Sequence, residues 1–393
     1  MSHNSGYRAA VALLAIAAAC AEPAAGPVPR MSAGVANLSS TPASLGWHER
    51  ARGLVAANNL SPLAAARVYA ALSVAQYRAV GGGADDSDQG AGGGRRALEE
   101  NRGAVAGASV TVLSFFFPAA TTSLEQEVQD EGEAGPGRVH PGYGGGVEMG
   151  RTAGTAMVER VRQDGFTTPW TGTVPVGPGL WTANGPPAGP TFGGVAPYFL
   201  SAGNQFRPAS PPAFGSPAFL ADLNEIRGLS ATRTPEQRAL AVYWNFATGS
   251  FTPPGYWDLV TANYIAAHGL DERAATRVFA FTTGAMMDAL IACWDAKYYY
   301  WALRPSQADA SITLTFGLPN HPSYPSGHSC ASAAATVLTE QFPEQSTELA
   351  AWVSEAGLSR MYAGIHYRFD ITAGRDLGVA VAQWALAHPE RIR

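Results

Sequence analysis

Charge is scarce in this chain. Of its 393 residues, 15% are charged, and the formal net charge is −5. No basic stripe exists to neutralise a phosphate backbone, so nucleic acid is excluded as a partner. Cysteine is scarcer still. There are three (Cys20, Cys293 and Cys330), with none of the Cys/His spacing of a zinc site. Strand-type alternation is hardly visible and no repeat of solenoid length occurs. What is present is apolar helix-forming sequence, 46% hydrophobic, with 44 Gly and 28 Pro that point to long ordered loops. The expectation is an all-α protein, a helical bundle with long Gly/Pro-rich loops. In it an N-terminal helical region, 42–285, supports a C-terminal one, 286–393.

The first 22 residues read as an export signal. Arg8 precedes an apolar run over 9–19 that is too short for a permanent span, and small residues lead to Cys20. "AAAC" resembles a bacterial lipoprotein processing site, which would make Cys20 a lipid-anchored N-terminus. Cleavage after an alanine is the alternative. Either places the protein in the periplasm, on the cell envelope or outside the cell. Residues 23–41 form a Pro/Ala/Gly/Ser tether. Asp85, Asp86 and Asp88 lack the twelfth-position Glu of a calcium loop and read as a solvated turn. His140 has no partner at ligand spacing and is expected on the surface. No further run is expected to span a bilayer.

Helical periodicity recurs over 44–59, 61–80, 95–117, 121–132, 146–165, 216–230, 234–249 and 254–269. Ser61-Pro62 is a good helix start, and "TPEQ" offers Thr234 as cap with Glu236 in the capping box. The stretch 271–305 is apolar nearly all round, which predicts a buried central helix. Residues 166–217, rich in Pro, Gly and Trp, form a loop long enough to roof a cavity.

Between 297 and 370 a charge-poor sequence gathers Lys297, Arg304, Arg360 and three histidines, His321, His328 and His366. On one helix, Lys297 and Arg304 would point the same way to within about 20°, ~10 Å apart. Trp294 and Trp301 would sit near that face and Pro305 would end it. In "HPSYPSGHS", Ser326 stands where an N-cap would, Gly327 lets its N–H approach a ligand, and "GHSCASAAATVLTEQF" continues as helix. In "SRMYAGIHYRFD", Gly364 breaks a helix, His366 follows, and Asp370 either caps the next helix or accepts a hydrogen bond from His366. Such a set of cations, hydroxyl and amide suits a tetrahedral oxyanion. Cys293 and Cys330 form either a disulfide or two buried thiols.

"KYYYWALRP … PSGH … SRMYAGIHYRFD" resembles, in order, spacing and polar residues, the three-part signature of a known superfamily. It unites vanadium-dependent haloperoxidases, type 2 phosphatidic acid phosphatases and bacterial acid phosphatases. The helices around 61–77 and 234–245 resemble the bacterial haloperoxidase branch, so the likeness covers most of the chain. It implies a helical bundle of the vanadium haloperoxidase type with vanadate as cofactor. Lys297, Arg304, Arg360, Ser326 and Gly327 would hold vanadate oxygens, and His366 the vanadium. His328 would be the acid–base that handles peroxide, and Trp294 would line the site. His321 matches the extra histidine of bromoperoxidases, which leans towards bromide or iodide. Substrates would be hydrogen peroxide, halide and a small organic acceptor, and a homo-oligomer is compatible with this. Two alternatives stay open. One is an acid phosphatase with His366 as nucleophile and His328 protonating the leaving alcohol; the other is a non-catalytic anion-binding lipoprotein. Ser329, where many haloperoxidases have Ala, is expected to bear on halide or peroxide placement, and Asp288 is a candidate acidic partner of Arg360.

Overall fold

The computed structural model describes residues 41–81, 94–133, 140, 142–247 and 249–392. The export segment, Cys20, nearly all of the tether and the Asp85–Asp88 turn lie outside them. The N-terminal helices are α1 (Ala43–Ala57), α2 (Pro62–Ala79), α3 (Arg95–Phe116), α4 (Thr121–Glu133) and α5 (Tyr143–Arg162). Next come α6 (Pro217–Ala231), α7 (Pro235–Tyr243), α8 (Thr252–Ala267) and α9 (Glu272–Tyr300). The last group is α10 (Pro305–Ala308), α11 (Gly327–Cys330), α12 (Ala333–Gln341), α13 (Ser346–Tyr362) and α14 (Arg368–Ala387). No strand forms among the described residues, only an isolated bridge between Leu180 and Ala302. The all-α expectation holds.

Helix starts follow their caps. Ser61 accepts from the Ala64 N–H and Asp271 from that of Ala274, satisfying amides that the first turn leaves free. Thr234 opens α7 with a capping box, but Gln237 closes it, not Glu236. Glu236 sits one residue too early to reach back to the cap N–H. Glycines set one unusually close contact. A Cβ on Gly107 of α3 would lie 2.1 Å from the Val147 carbonyl oxygen, and one on Gly150 of α5 would lie 2.1 Å from that of Ala104. The two backbones therefore touch, and Ala at either position would force them apart.

Helix α9 is the axis, packed by α2 and α8 on one side and by α12 and α14 on the other. By length and composition it could cross a membrane, yet 94% of its most apolar window is buried inside the protein. The main apolar core runs from Ala43 to Ile392, with two smaller clusters around Phe219 and Ile365, and the 285/286 boundary falls inside α9. The two helical regions thus share one core.

The long loop after α5 is tied down by buried and half-buried carboxylates. Asp288 accepts the N–H groups of Tyr198, Phe199 and Leu200 at 2.7, 2.7 and 2.9 Å. Asp164 takes Arg67, and Asp295 takes Arg207, each through two hydrogen bonds. Asn320 donates to the Pro186 carbonyl (2.7 Å) and accepts from Asn184 N–H (2.9 Å). His140 is half-buried, with Nδ1 3.1 Å from Glu99, so it is not the free surface histidine expected.

Candidate active site: a buried cationic cage

A cavity of about 990 Å³ opens beside the C-terminal half of α9. The loop roofs it with Phe166, Trp170 and the Pro186–Phe192 stretch, as its length had suggested. Trp294, His321, Gly327, His328, Arg360 and His366 form its polar floor. Lys297, Arg304 and Ser326 lie fully buried against that floor.

Arg304 arrives there by a different route from the one expected. Helix α9 stops at Tyr300, and Trp301 takes a left-handed conformation with φ 52°. Arg304 therefore sits beyond the helix, capping α10, and shares no helical face with Lys297. Trp301 leaves that face too. The backbone turn still delivers the guanidinium to the site. Its Nη1 donates to the Ile365 carbonyl (2.7 Å) and to His366 Nε2 (3.1 Å), and Nη2 donates to the His321 carbonyl (3.0 Å), with the His321 ring beside it.

Lys297 gives its ammonium protons to the carbonyls of Pro322, Ser323 and Pro325, at 2.9, 2.8 and 2.5 Å. It thereby clamps the "HPSYP" loop and holds its charge under the floor. Arg360, near the end of α13, donates to Ser359 Oγ (2.9 Å) and to the Ala241 carbonyl (2.6 Å). No carboxylate reaches it among the described residues. Asp288, the candidate, is wholly occupied by loop N–H groups.

His366 follows Gly364, whose φ of 78° makes the break after α13. Its Nδ1 donates to Asp370 Oδ2 at 2.8 Å, so Nε2 keeps a lone pair turned towards Arg304. Asp370 fills both roles considered for it. Oδ2 also accepts the Tyr367 N–H (3.1 Å) at the start of α14, and Ser323 Oγ at 2.5 Å. His328 Nε2 lies 2.7 Å from the Trp244 carbonyl. A carbonyl can only accept, so the proton is on Nε2 and Nδ1 is the free base.

The segment from Gly327 is two helices, broken at Ala331–Ser332, and α11 is one turn long. Gly327 is its first residue, whose N–H no helix carbonyl can take. A Cβ there would stand 3.2 Å from the Trp294 ring. Ser326 Oγ is buried with no hydrogen-bond partner. Ser329 faces away from the cavity, its Oγ 3.6 Å from where a Gly357 Cβ would lie. It packs α11 against α13. Cys293 and Cys330 are free, buried thiols.

Three cations share this volume with one carboxylate. Burial pushes Lys297 down to about 8, Arg304 to about 10 and Arg360 to about 9. Burial, then the charge of Arg360, brings His328 to about 3; His321 and His366 are also driven well below the ordinary histidine value, burial first. Burial raises Asp370 to about 6 against its hydrogen bond from Ser323. The site thus offers uncompensated positive charge, neutral imidazoles and one unpartnered hydroxyl. That set can grip a small oxyanion.

The structure thus brings together Lys297, Arg304, His321, Ser326, Gly327, His328, Arg360, His366, Asp370 and Trp294. Reading side chains missed Ser323, which buttresses Asp370, and the carbonyls of Ala241, Trp244 and Ile365. Ser323 could have been suspected from its place between two prolines in the motif; main-chain acceptors have no side-chain signature.

A helical fold thus closes over a buried cationic cage, and both parts have counterparts among known proteins. Residues 277–392 match the family model of the PAP2 superfamily. Non-specific acid phosphatases of Salmonella typhimurium and Salmonella typhi are each 36% identical over 97 residues, 23% of this chain and 39% of theirs. The chain therefore matches about two fifths of the length of these curated relatives. Solved structures resemble far more of it. A bacterial vanadium-dependent iodoperoxidase matches with TM-score 0.74 and 22% identity, over 88% of this chain and 95% of its own. An apo-type bacterial vanadium-dependent chloroperoxidase matches with TM-score 0.68 and 17% identity, over 85% and 95%. The fold of the whole described chain is that of the bacterial vanadium-dependent haloperoxidases.

Proposed function

We propose that this protein is a vanadate-dependent haloperoxidase that oxidises halide with hydrogen peroxide and halogenates a small organic acceptor. The observation that carries the reading is the state of His366. Asp370 holds its Nδ1 proton, and its Nε2 lone pair faces a cage of three buried cations. The residues fit vanadate. Ser326 Oγ is a buried hydroxyl with no partner, a Cβ at Gly327 would crowd Trp294 at 3.2 Å, and the net charge is positive.

In this reading His366 Nε2 holds the metal, and Arg304, Arg360, Ser326 Oγ and the Gly327 N–H hold the oxygens. Lys297, its protons on three carbonyls, acts through its charge. Bound vanadate supplies a Lewis-acid centre that activates hydrogen peroxide towards halide without a redox change at the metal. Asp370 keeps His366 in the tautomer that leaves Nε2 free. His328, neutral and with Nδ1 bare, takes the proton that incoming peroxide must lose. His321, beside Trp294 with ring centroids 5.0 Å apart, favours bromide or iodide over chloride as the halide.

The same cage would serve phosphate-ester hydrolysis with His366 as nucleophile, and the matched acid phosphatases favour that second reading. The fold likeness over 88% of the chain and the Trp294–His321 pair at the cavity support the peroxidase. An exported or lipid-anchored location accords with either. The test is purified protein loaded with vanadate, assayed with peroxide and bromide or iodide, beside aryl-phosphate hydrolysis by the vanadate-free form. Peroxidase activity lost in His366→Ala, with the fold intact, is the expected result. Phosphatase activity alone would overturn the assignment, and a fully active His366→Ala would overturn the role of that residue.

A further inference from the structure

The C-terminal turn of α7 touches the cage twice without contributing a side chain. Its last intrahelical bonds are irregular. The Asn245 N–H goes to the Val242 carbonyl, which leaves the carbonyl of Ala241 without a helical partner. That oxygen accepts Arg360 Nη2 at 2.6 Å. Three residues on, the Trp244 carbonyl accepts His328 Nε2 at 2.7 Å. One turn of helix therefore aims a cage cation and fixes the proton of the acid–base histidine.

The turn is itself held. Trp244 is 1% exposed, and its indole N–H donates to Glu355 Oε1 on α13 at 2.8 Å. Its ring lies 4.8 Å from that of Tyr256 on α8. Two residues later, Phe246 has φ 40°, a left-handed conformation that a bulky residue rarely takes. Phe246 packs against Tyr256 and Phe251 at 5.4 and 5.5 Å. Strain of this kind persists where the surroundings impose it. The aromatic cluster and Glu355 thus dictate where the two carbonyls point.

We propose that Trp244 and Glu355 are positioning residues of the cage. Through the turn that they pin, they hold His328, at the cavity wall, as its Nε2–H tautomer with Nδ1 bare, and they aim Arg360. Neither touches a ligand. Glu355 acts only as the acceptor that anchors the indole, so Gln, which keeps an acceptor oxygen, should replace it. The proposal rests on the cage being the oxyanion site, but its test does not need peroxidase turnover.

The variants are Trp244→Phe, Glu355→Leu and Glu355→Gln, in the vanadate-free protein. The ring-nitrogen NMR shifts of His328, assigned with His328→Gln, report the tautomer. Titration with inorganic phosphate reports the cage. Expected is a single Nε2–H tautomer in the wild type and in Glu355→Gln, with phosphate affinities within about twofold of each other. In Trp244→Phe and Glu355→Leu the tautomers mix, and affinity falls about tenfold, as when other outer-shell partners are removed. If Trp244→Phe does not fold, Glu355→Leu, altered at a partly exposed position, carries the test alone. A folded Glu355→Leu with the wild-type tautomer and affinity would overturn the proposal. So would a Glu355→Gln that behaves like Glu355→Leu. Absence of peroxidase activity in the wild type would instead count against the function proposed above.

Discussion

Two buried polar clusters lie near opposite ends of α9, and they are built on opposite rules. The first gathers around His48, whose ring stacks on Phe279 with centroids 3.6 Å apart. Asp258 receives His48 Nδ1 and Arg52, both at 2.5 Å, and Gln76 bridges His48 Nε2 and Ser109. There the one carboxylate is hydrogen-bonded to both basic side chains, and the Asp258 and Gln76 side chains are bonded at both ends. Burial alone would raise the Asp258 carboxyl, but His48 and Arg52 hold it below the usual carboxylate range. The second cluster, the cage, has three cations against Asp370 and an unpartnered Ser326 hydroxyl. A satisfied buried network ties helices together; an unsatisfied one of a single sign is a place for a ligand.

The sharpest way to break this comparison is to remove one carboxylate from each cluster. Asp258→Ala leaves Arg52 and His48 buried without their anion, so stability should fall by about 3–5 kcal/mol. Oxyanion binding by the remaining folded protein should be unchanged; denaturant unfolding and phosphate titration measure the two. Asp370→Asn removes the carboxylate that holds His366, so phosphate or vanadate affinity should drop about 10–100-fold, more than stability suffers. Equal effects of the two variants on binding would erase the distinction.

A smaller effect comes from pH. Burial brings Lys297 down to about 8, so its charge fades as pH rises through that value. Phosphate affinity should fall across the same range, and titrations at pH values either side of 8 would show it. The sign for stability is the reverse. Between about 8 and the ordinary lysine range the unfolded chain holds a proton that the folded one has lost, so folding is favoured as pH rises there. The affinity decline should be absent in Lys297→Met.

The comparison also explains what could be read from the residues. Lys297, Arg304, Ser326, His328, Arg360, His366 and Asp370 announced themselves because polar groups clustered in an apolar chain. Helix α9 was legible as a buried core helix from its all-round apolar composition. The route of Arg304 was not, because nothing local marks Trp301, a non-glycine, for a left-handed turn. The break at Ala331–Ser332 is likewise unmarked by Gly or Pro, and lies where both helices pack against α14. Asp288 was misassigned because an acidic residue on a core helix gives no hint that three loop amides will claim it. The His48 network was invisible for the same reason, since its members come from α1, α2, α3 and α8.

The central claim is that one buried site on each chain grips an oxyanion through His366 and the three cations. Calorimetric titration with inorganic vanadate, of the wild type and of His366→Ala and Arg360→Ala, tests it most directly. The account predicts one site per chain in the wild type, weakened at least about tenfold in either variant. Equal binding by all three proteins, or none by the wild type, would contradict it.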